Sequence, residues 1–111
     1  MKEIKIDPDM HFRVLNLIYK NPLITQRELA KKLDVSLGGI NYCLKALILI
    51  GHLKIKTFQA NPNKSTYLYL LTAKGMKEKS LLTVSFIQRK MKEYKALKNE
   101  INEVKNSLGK S

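Results

Sequence analysis

Apolar residues recur at two periods along this chain, and the change of period divides it. Met10, Val14, Leu17 and Ile18, with Leu15 beside them, keep the 3.6-residue repeat of one helix face. Asp7-Pro8 predicts the start of that helix, because an aspartate accepts from free first-turn amides and proline is tolerated at the first helical position. Asn21-Pro22 predicts its end. Phe12 and Tyr19 fall on its opposite side, a second apolar face that needs a partner and is expected to join the carboxy-terminal seam in the dimer interface. Thr25-Gln26-Arg27-Glu28 has the spacing of a capping box, with Leu29, Ala30 and Leu33 following on one face. Asp34-Val35 then makes a turn, and Ser36 caps a third helix that Gly51 stops. Helix, short turn, helix is the expected middle of the fold.

Beyond Gly51 the period falls to about two. Leu53 and Ile55 alternate with Lys54 and Lys56, and Thr66 to Leu70 alternate again, which predicts two paired strands. The polar run of residues 59–65 reads as a projecting loop between them. Thr72 caps an expected short helix from Ala73 to about Ser80, with Gly75 a weak point inside it. From Leu81 to about Asn106 there is neither Pro nor Gly. Heptad position a at Ile87, Tyr94, Ile101 and Leu108 places Leu97 and Val104 at d, with Lys90 the one polar intruder. Such a seam cannot bury itself, so a second copy of the chain is its natural partner; folding back onto its own domain is the alternative, which Leu81, Leu82, Val84 and Phe86 suit. The expected architecture is mainly α, a winged helix-turn-helix of three helices plus a β-hairpin over residues 1–80, followed by a dimerising coiled-coil helix over residues 81–111.

Charge changes the picture from fold to partner. The 111 residues carry 21 Lys+Arg against 9 Asp+Glu, a net charge of +12, with 44% hydrophobic residues. That composition is globular rather than disordered, and the length suits one core. Residues 1–19 are neutral in sum, whereas residues 20–64 hold eight basic and two acidic side chains. A polyanion, either nucleic acid or an anionic membrane surface, is the implied partner. The membrane reading is the weaker, because the basic residues are not gathered on one amphipathic helix and no segment approaches the ~18 apolar residues of a span.

The third helix has the shape a groove asks for. Leu37, Ile40, Leu44 and Leu47 project to one side with Cys43 at the edge, while Gly38, Asn41, Tyr42 and Lys45 project to the other. Gly38 and Gly39 weaken the first turn yet let its backbone approach another surface. Asn41 can read adenine or hold a phosphate, Tyr42 can meet a phosphate or sugar, and Lys45 can reach guanine or phosphate. Gln26 and Arg27 open the second helix, where an amino end and a cation can clamp phosphate, and the Ser36 hydroxyl can contact phosphate or serve as a cap alone. Lys54, Lys56 and Lys64 with Asn61 and Asn63 would place donors over the adjacent groove; a solvated strand face explains the lysines equally.

Catalytic chemistry finds little support. His11 and His52 lie in different elements with no acidic cluster, Cys43 is the only cysteine and projects toward a buried edge, and Gly38-Gly39 lacks the strand and Lys-Ser/Thr pair of a phosphate loop. No enzymatic activity, cofactor or metal is expected, and the lone cysteine suits the reducing cytoplasm. The segments ITQRELAKKLDVSLGGINYCLKALILIGHLKIKTF, NKSTYLYLLTAKG and LTVSFIQRKMKEYKALKNEI resemble winged helix-turn-helix regulators of the MarR superfamily, in particular the short exopolysaccharide-associated branch, over about residues 10–105. The resemblance implies a supporting helix at 25–33, a recognition helix at 36–50, a wing at 53–71, and transcriptional control by a homodimer on double-stranded DNA with a pseudo-palindromic operator. Ordinary members have longer dimerisation helices at both ends and an aromatic-acid cleft; this chain has one short amino-terminal helix and a single carboxy-terminal seam. No small-molecule effector is named by the sequence. The rival reading is a winged-helix module docking a protein of the transcription machinery, with its basic surface incidental.

Overall fold

The computed structural model describes residues 6–62 and 64–109. Helix α1 spans Pro8–Lys20, and the Asp7 carboxylate accepts from the Met10 amide at 3.0 Å, which satisfies one of the free donors of the first turn. Its apolar stripe buries Val14, Leu15 and Ile18. Helix α2, Gln26–Leu33, carries the capping box in full: Thr25 Oγ1 accepts from the Glu28 amide at 3.1 Å while Glu28 accepts from the Thr25 amide at 3.2 Å. Helix α3, Leu37–Leu49, is capped by Ser36, whose hydroxyl accepts from the Gly39 amide at 3.0 Å, and it buries Ile40, Cys43, Leu44, Ala46 and Leu47. Leu37 departs from its expected place on that buried face. It is 46% exposed, because the first residue of α3 overhangs the end of the core rather than lying against it.

Strands β1, Leu53–Asn61, and β2, Lys64–Leu71, form one antiparallel hairpin whose register runs from Leu53↔Leu71 to Asn61↔Lys64, with an irregularity between Gln59 and Asn61. The run 59–65 is therefore not the free loop its polarity suggests; only positions 62 and 63 separate the strands. Ladder hydrogen bonds belong to the backbone, so a hairpin in solvent can pair through residues with no apolar pattern at all.

Helix α4 runs unbroken from Ala73 to Leu108, 36 residues, where a short helix and a separate seam helix were expected. Gly75 lies in its first turn, where a glycine interrupts little, and its role is steric. A Cβ at Gly75 would stand 2.0 Å from the His52 carbonyl oxygen, so α4 touches the α3–β1 turn backbone to backbone. The same joint holds the Thr72 hydroxyl, which donates to the Gly51 carbonyl and accepts from the Gly75 amide, together with the Thr72 amide on the His52 carbonyl at 3.1 Å and Lys74 Nζ on the Ile50 carbonyl at 2.9 Å. Gly51 adopts φ +82°, which ends α3 and turns the chain into β1.

The lower half of α4 packs on α1. Phe12 stacks on Phe86 with ring centroids 4.5 Å apart, so part of the second apolar face of α1 is covered within the chain. Asp9 receives Arg89 Nη2 at 2.6 Å and Lys90 Nζ at 3.2 Å, and Lys90 also meets Glu93 at 3.0 Å. The Arg89 hydrogen bond holds the Asp9 carboxyl below its ordinary range, and Glu93 and Asp9 together raise the Lys90 ammonium. Lys90 interrupts the seam because it is committed to its own domain. Tyr19 stays 54% exposed, with the Lys79 ammonium 4.6 Å from its ring centre. Every residue from Met91 to Gly109 is exposed.

Candidate nucleic-acid interface

One face of the molecule gathers the amino end of α2, the outer side of α3 and one face of the hairpin. Gln26 ties the three together: its Nε2 donates to the Tyr69 hydroxyl at 3.1 Å and its Oε1 accepts from Asn41 Nδ2 at 3.4 Å. This relay links α3 to α2 and β2 above their shared core and holds the Asn41 amide nitrogen, leaving the amide oxygen of Asn41 without a partner among the described residues. Tyr69, a residue that the strand pattern did not distinguish, is 8% exposed and anchors the relay. The bond spans 43 positions in sequence, and no local pattern could have announced it. Its amide also donates to the Pro22 carbonyl at 3.1 Å, so β2 is seated on the α1–α2 turn.

Beyond Asn41 the outer side of α3 presents Gly38, Gly39, Tyr42 and Lys45 to solvent, Tyr42 with 59% of its surface accessible. The two glycines have different reasons. A Cβ at Gly39 would lie 3.1 Å from Ser36 Oγ and crowd the cap, whereas a Cβ at Gly38 meets nothing within 4 Å. Gly39 thus serves the fold, and nothing among the described residues calls for Gly38. Arg27 is exposed beside Gln26, and Ser36 is likewise exposed although its hydroxyl is occupied as a cap. No acidic residue lies in α3. Among the described residues no salt bridge holds Arg27, Lys31, Lys32 or Lys45, so their charges are free to meet an anion.

The hairpin lysines divide from this group. Cross-strand partners share a sheet face, so Lys54 and Lys56, paired with Leu70 and Leu68, are exposed on the face opposite the one that carries Leu53, Ile55, Tyr69 and Leu71. They flank the wing rather than join the Gln26 relay. Asn63 lies outside the described residues, as do the side chains of Asn61 and Lys64, although the backbone at 61 and 64 is strand.

Away from this face, His11 Nε2 and His52 Nδ1 are 3.0 Å apart with their rings stacked, a pair between α1 and the α3–β1 turn that separation in sequence concealed. Burial lowers both histidines below their ordinary value, with His52 adding to the effect on His11 and Glu78 opposing it at both. Cys43 is buried and its thiol is pushed up by that burial, the opposite of an activated nucleophile. Among the described residues there is no cluster of three or more His, Cys, Asp or Glu side chains that could hold a metal, and no helix long and apolar enough to cross a membrane.

Residues 8–51 match the family model described as winged helix-turn-helix DNA-binding. No curated protein matches the chain. Among solved structures it is similar to the smu.1704 protein of Streptococcus mutans, with 19% identity over 88% of this chain and 94% of that one at a TM-score of 0.69. It is similar also to the adhesin competence repressor AdcR of Streptococcus pyogenes, with 20% identity over 82% of this chain and a TM-score of 0.63. ZitR of Lactococcus lactis, solved in complex with DNA, shares 21% identity over 89% of this chain at a TM-score of 0.59. The chain spans 66% of the AdcR chain and 64% of the ZitR chain, a little under two thirds of each. The helix order, the hairpin and these likenesses together establish a winged helix-turn-helix fold with a long carboxy-terminal helix.

Proposed function

We propose that this protein is a sequence-specific double-stranded DNA-binding transcriptional regulator that works in the cytoplasm as a homodimer. The observation that carries the reading is the outer side of α3: a glycine with open space above it, then Asn41, Tyr42 and Lys45, with no acidic residue on the helix. A helix that enters the major groove needs a slim leading turn to let its backbone approach and polar side chains behind it to meet base edges and phosphates. Gln26, Arg27 and Ser36 would stand at the rim where phosphate runs, and the tip of the wing, with Asn63 and Lys64, would lie along the neighbouring groove, while Lys54 and Lys56, on the other face of the hairpin, would meet only flanking phosphate. Two copies joined through Ile87, Tyr94, Leu97, Ile101, Val104 and Leu108 would offer their recognition helices to successive major grooves ~34 Å apart, hence a pseudo-palindromic operator. Kinship with the short exopolysaccharide-associated branch of the MarR superfamily belongs to the same proposal and rests on the sequence blocks quoted above.

Selection of bound duplexes from a random pool, followed by footprinting, tests it. A symmetric site protected as two half-sites is expected. Affinity for that site should fall with salt at a slope of about −0.9 per phosphate contacted on logarithmic axes. Asn41→Ala or Lys45→Ala should cost about 1–3 kcal/mol on the selected site if these side chains touch bases. No enriched sequence, or an interaction indifferent to salt, would turn the assignment toward a protein-docking module.

A further inference from the structure

The carboxy-terminal half of α4 carries more than an apolar stripe: its charges specify how a second copy lies against it. Between Tyr94 and Leu108 every large apolar residue occupies a or d of the heptad, with Tyr94, Ile101 and Leu108 at a and Leu97 and Val104 at d. The outer positions hold only Lys95, Ala96, Asn99, Asn102, Glu103 and Asn106. The two positions that flank the seam are sorted by sign. Position g holds Glu93 and Glu100, and position e holds Lys98 and Lys105. All of these side chains are exposed, as are the seam residues themselves, with Leu97 at 55% and Val104 at 58%. None of the described residues covers them.

We infer that two copies of α4 pair as a parallel, in-register, two-stranded coiled coil that begins above Lys90, with Glu93 and Glu100 of each copy facing Lys98 and Lys105 of the second. In a parallel coil each g side chain meets the e side chain five residues further along the other helix, and here both such pairings are Glu with Lys. In an antiparallel coil g meets g and e meets e, which sets Glu against Glu and Lys against Lys. The pattern is attractive in one orientation and repulsive in the other. Ile101 at a with Leu97 at d suits two strands rather than more. Lys90, which would be the next d residue down, is held by Asp9 and Glu93 inside its own chain, so the helices separate there and each domain remains on its own arm. Glu93 therefore divides its carboxylate between Lys90 and the second copy, and Glu100 with Lys105 is the uncommitted pair.

Orientation decides where the reading heads stand. The seam from Tyr94 to Leu108 is centred about 26 residues beyond Gly75, or ~39 Å at 1.5 Å per residue. An antiparallel coil would therefore set the two heads ~78 Å apart along its axis. A parallel coil brings both to one end, at the same height.

The inference rests on the homodimer reading, and the test separates the two. Leu97→Cys and Val104→Cys are introduced singly into the full chain, where both positions are exposed and the native Cys43 is buried, and each variant is oxidised alone and mixed with the other. The expected result is a disulfide-linked dimer for each variant by itself, with little linkage between the two variants. Linkage mainly in the mixture, or in neither, with sedimentation still showing a dimer, overturns the parallel orientation and leaves the homodimer standing. A monomer by sedimentation at tens of micromolar overturns both. As a second measure, Glu100→Lys should weaken the dimer several-fold and Glu100→Lys with Lys105→Glu should restore it; restoration failing while the circular dichroism is unchanged also overturns the pairing.

Discussion

Gly38 and the His11–His52 pair show how single residues divide between fold and function. A glycine in the first turn of α3 lowers helix stability, and with no neighbour within 4 Å of a Cβ there, Gly38→Ala should stabilise the protein by about 0.5 to 1 kcal/mol. If the open space is where DNA backbone or base edges approach, the same methyl should weaken operator binding. The expected outcome is thus a rise in Tm together with a loss of affinity, measured on one variant; a rise in both would remove Gly38 from the interface. The histidines act in the other direction. Both have folded values below the ordinary 6.5, so the native state binds fewer protons than the unfolded chain. Their contribution is fully present above about 6.5 and is lost as pH falls through that value toward the folded ones. Asp9, also lowered, has its contribution above the ordinary carboxylate value of 3.8, and this is lost only in more acid solution. Denaturant unfolding between pH 8 and pH 5 should therefore show a decline that His52→Asn abolishes or blunts, while Asp9→Asn leaves that window alone.

The elements differ in how far the sequence alone disclosed them, and the reason is range. Thr25 with Glu28, and Ser36 with Gly39, are contacts three residues long, so the helix starts could be read directly. The division of α3 into a buried and an outer side followed from the same local periodicity, apart from Leu37, where the end of the core and not the helix repeat decides exposure. The wing was legible as a hairpin but not in its length, because its outer half continues the strand register through a polar stretch of sequence. The Gln26–Tyr69 bond and the histidine pair join residues 43 and 41 apart, beyond any pattern. Gly75 belongs to this last group: in sequence it weakens a helix, in the structure it admits the His52 carbonyl. Gly75→Ala should destabilise by about 1–3 kcal/mol through overpacking, far more than a helix propensity change that would by itself be favourable. Thermal unfolding decides between these signs. Because the contact joins α4 to the α3–β1 turn, the same variant should also loosen protection of the Thr72 and His52 amides in hydrogen exchange.

At the scale of the whole molecule, the long axis of 71 Å against 32 and 25 Å describes a compact head on a helical stalk. The two parts are stabilised differently. The head buries its core among α1, α2, α3, Leu53 and Tyr69, and the lower half of α4 closes over it through Phe86 and the Asp9–Arg89–Lys90 contacts. Past residue 91 every described residue of the stalk is exposed, so its apolar side chains are an energetic loss for a monomer and a gain only for an assembly. Removing residues 95–111 should then leave the Tm of the head nearly unchanged while converting a dimer to a monomer by sedimentation. DNA binding would respond in a defined way. If each head neutralises the same number of phosphates, the truncated protein should bind a half-site with half the logarithmic salt slope of the intact dimer on its full operator. An unchanged slope would mean that the heads do not bind as a pair, and a large fall in Tm would mean that the stalk supports its own domain rather than a second copy.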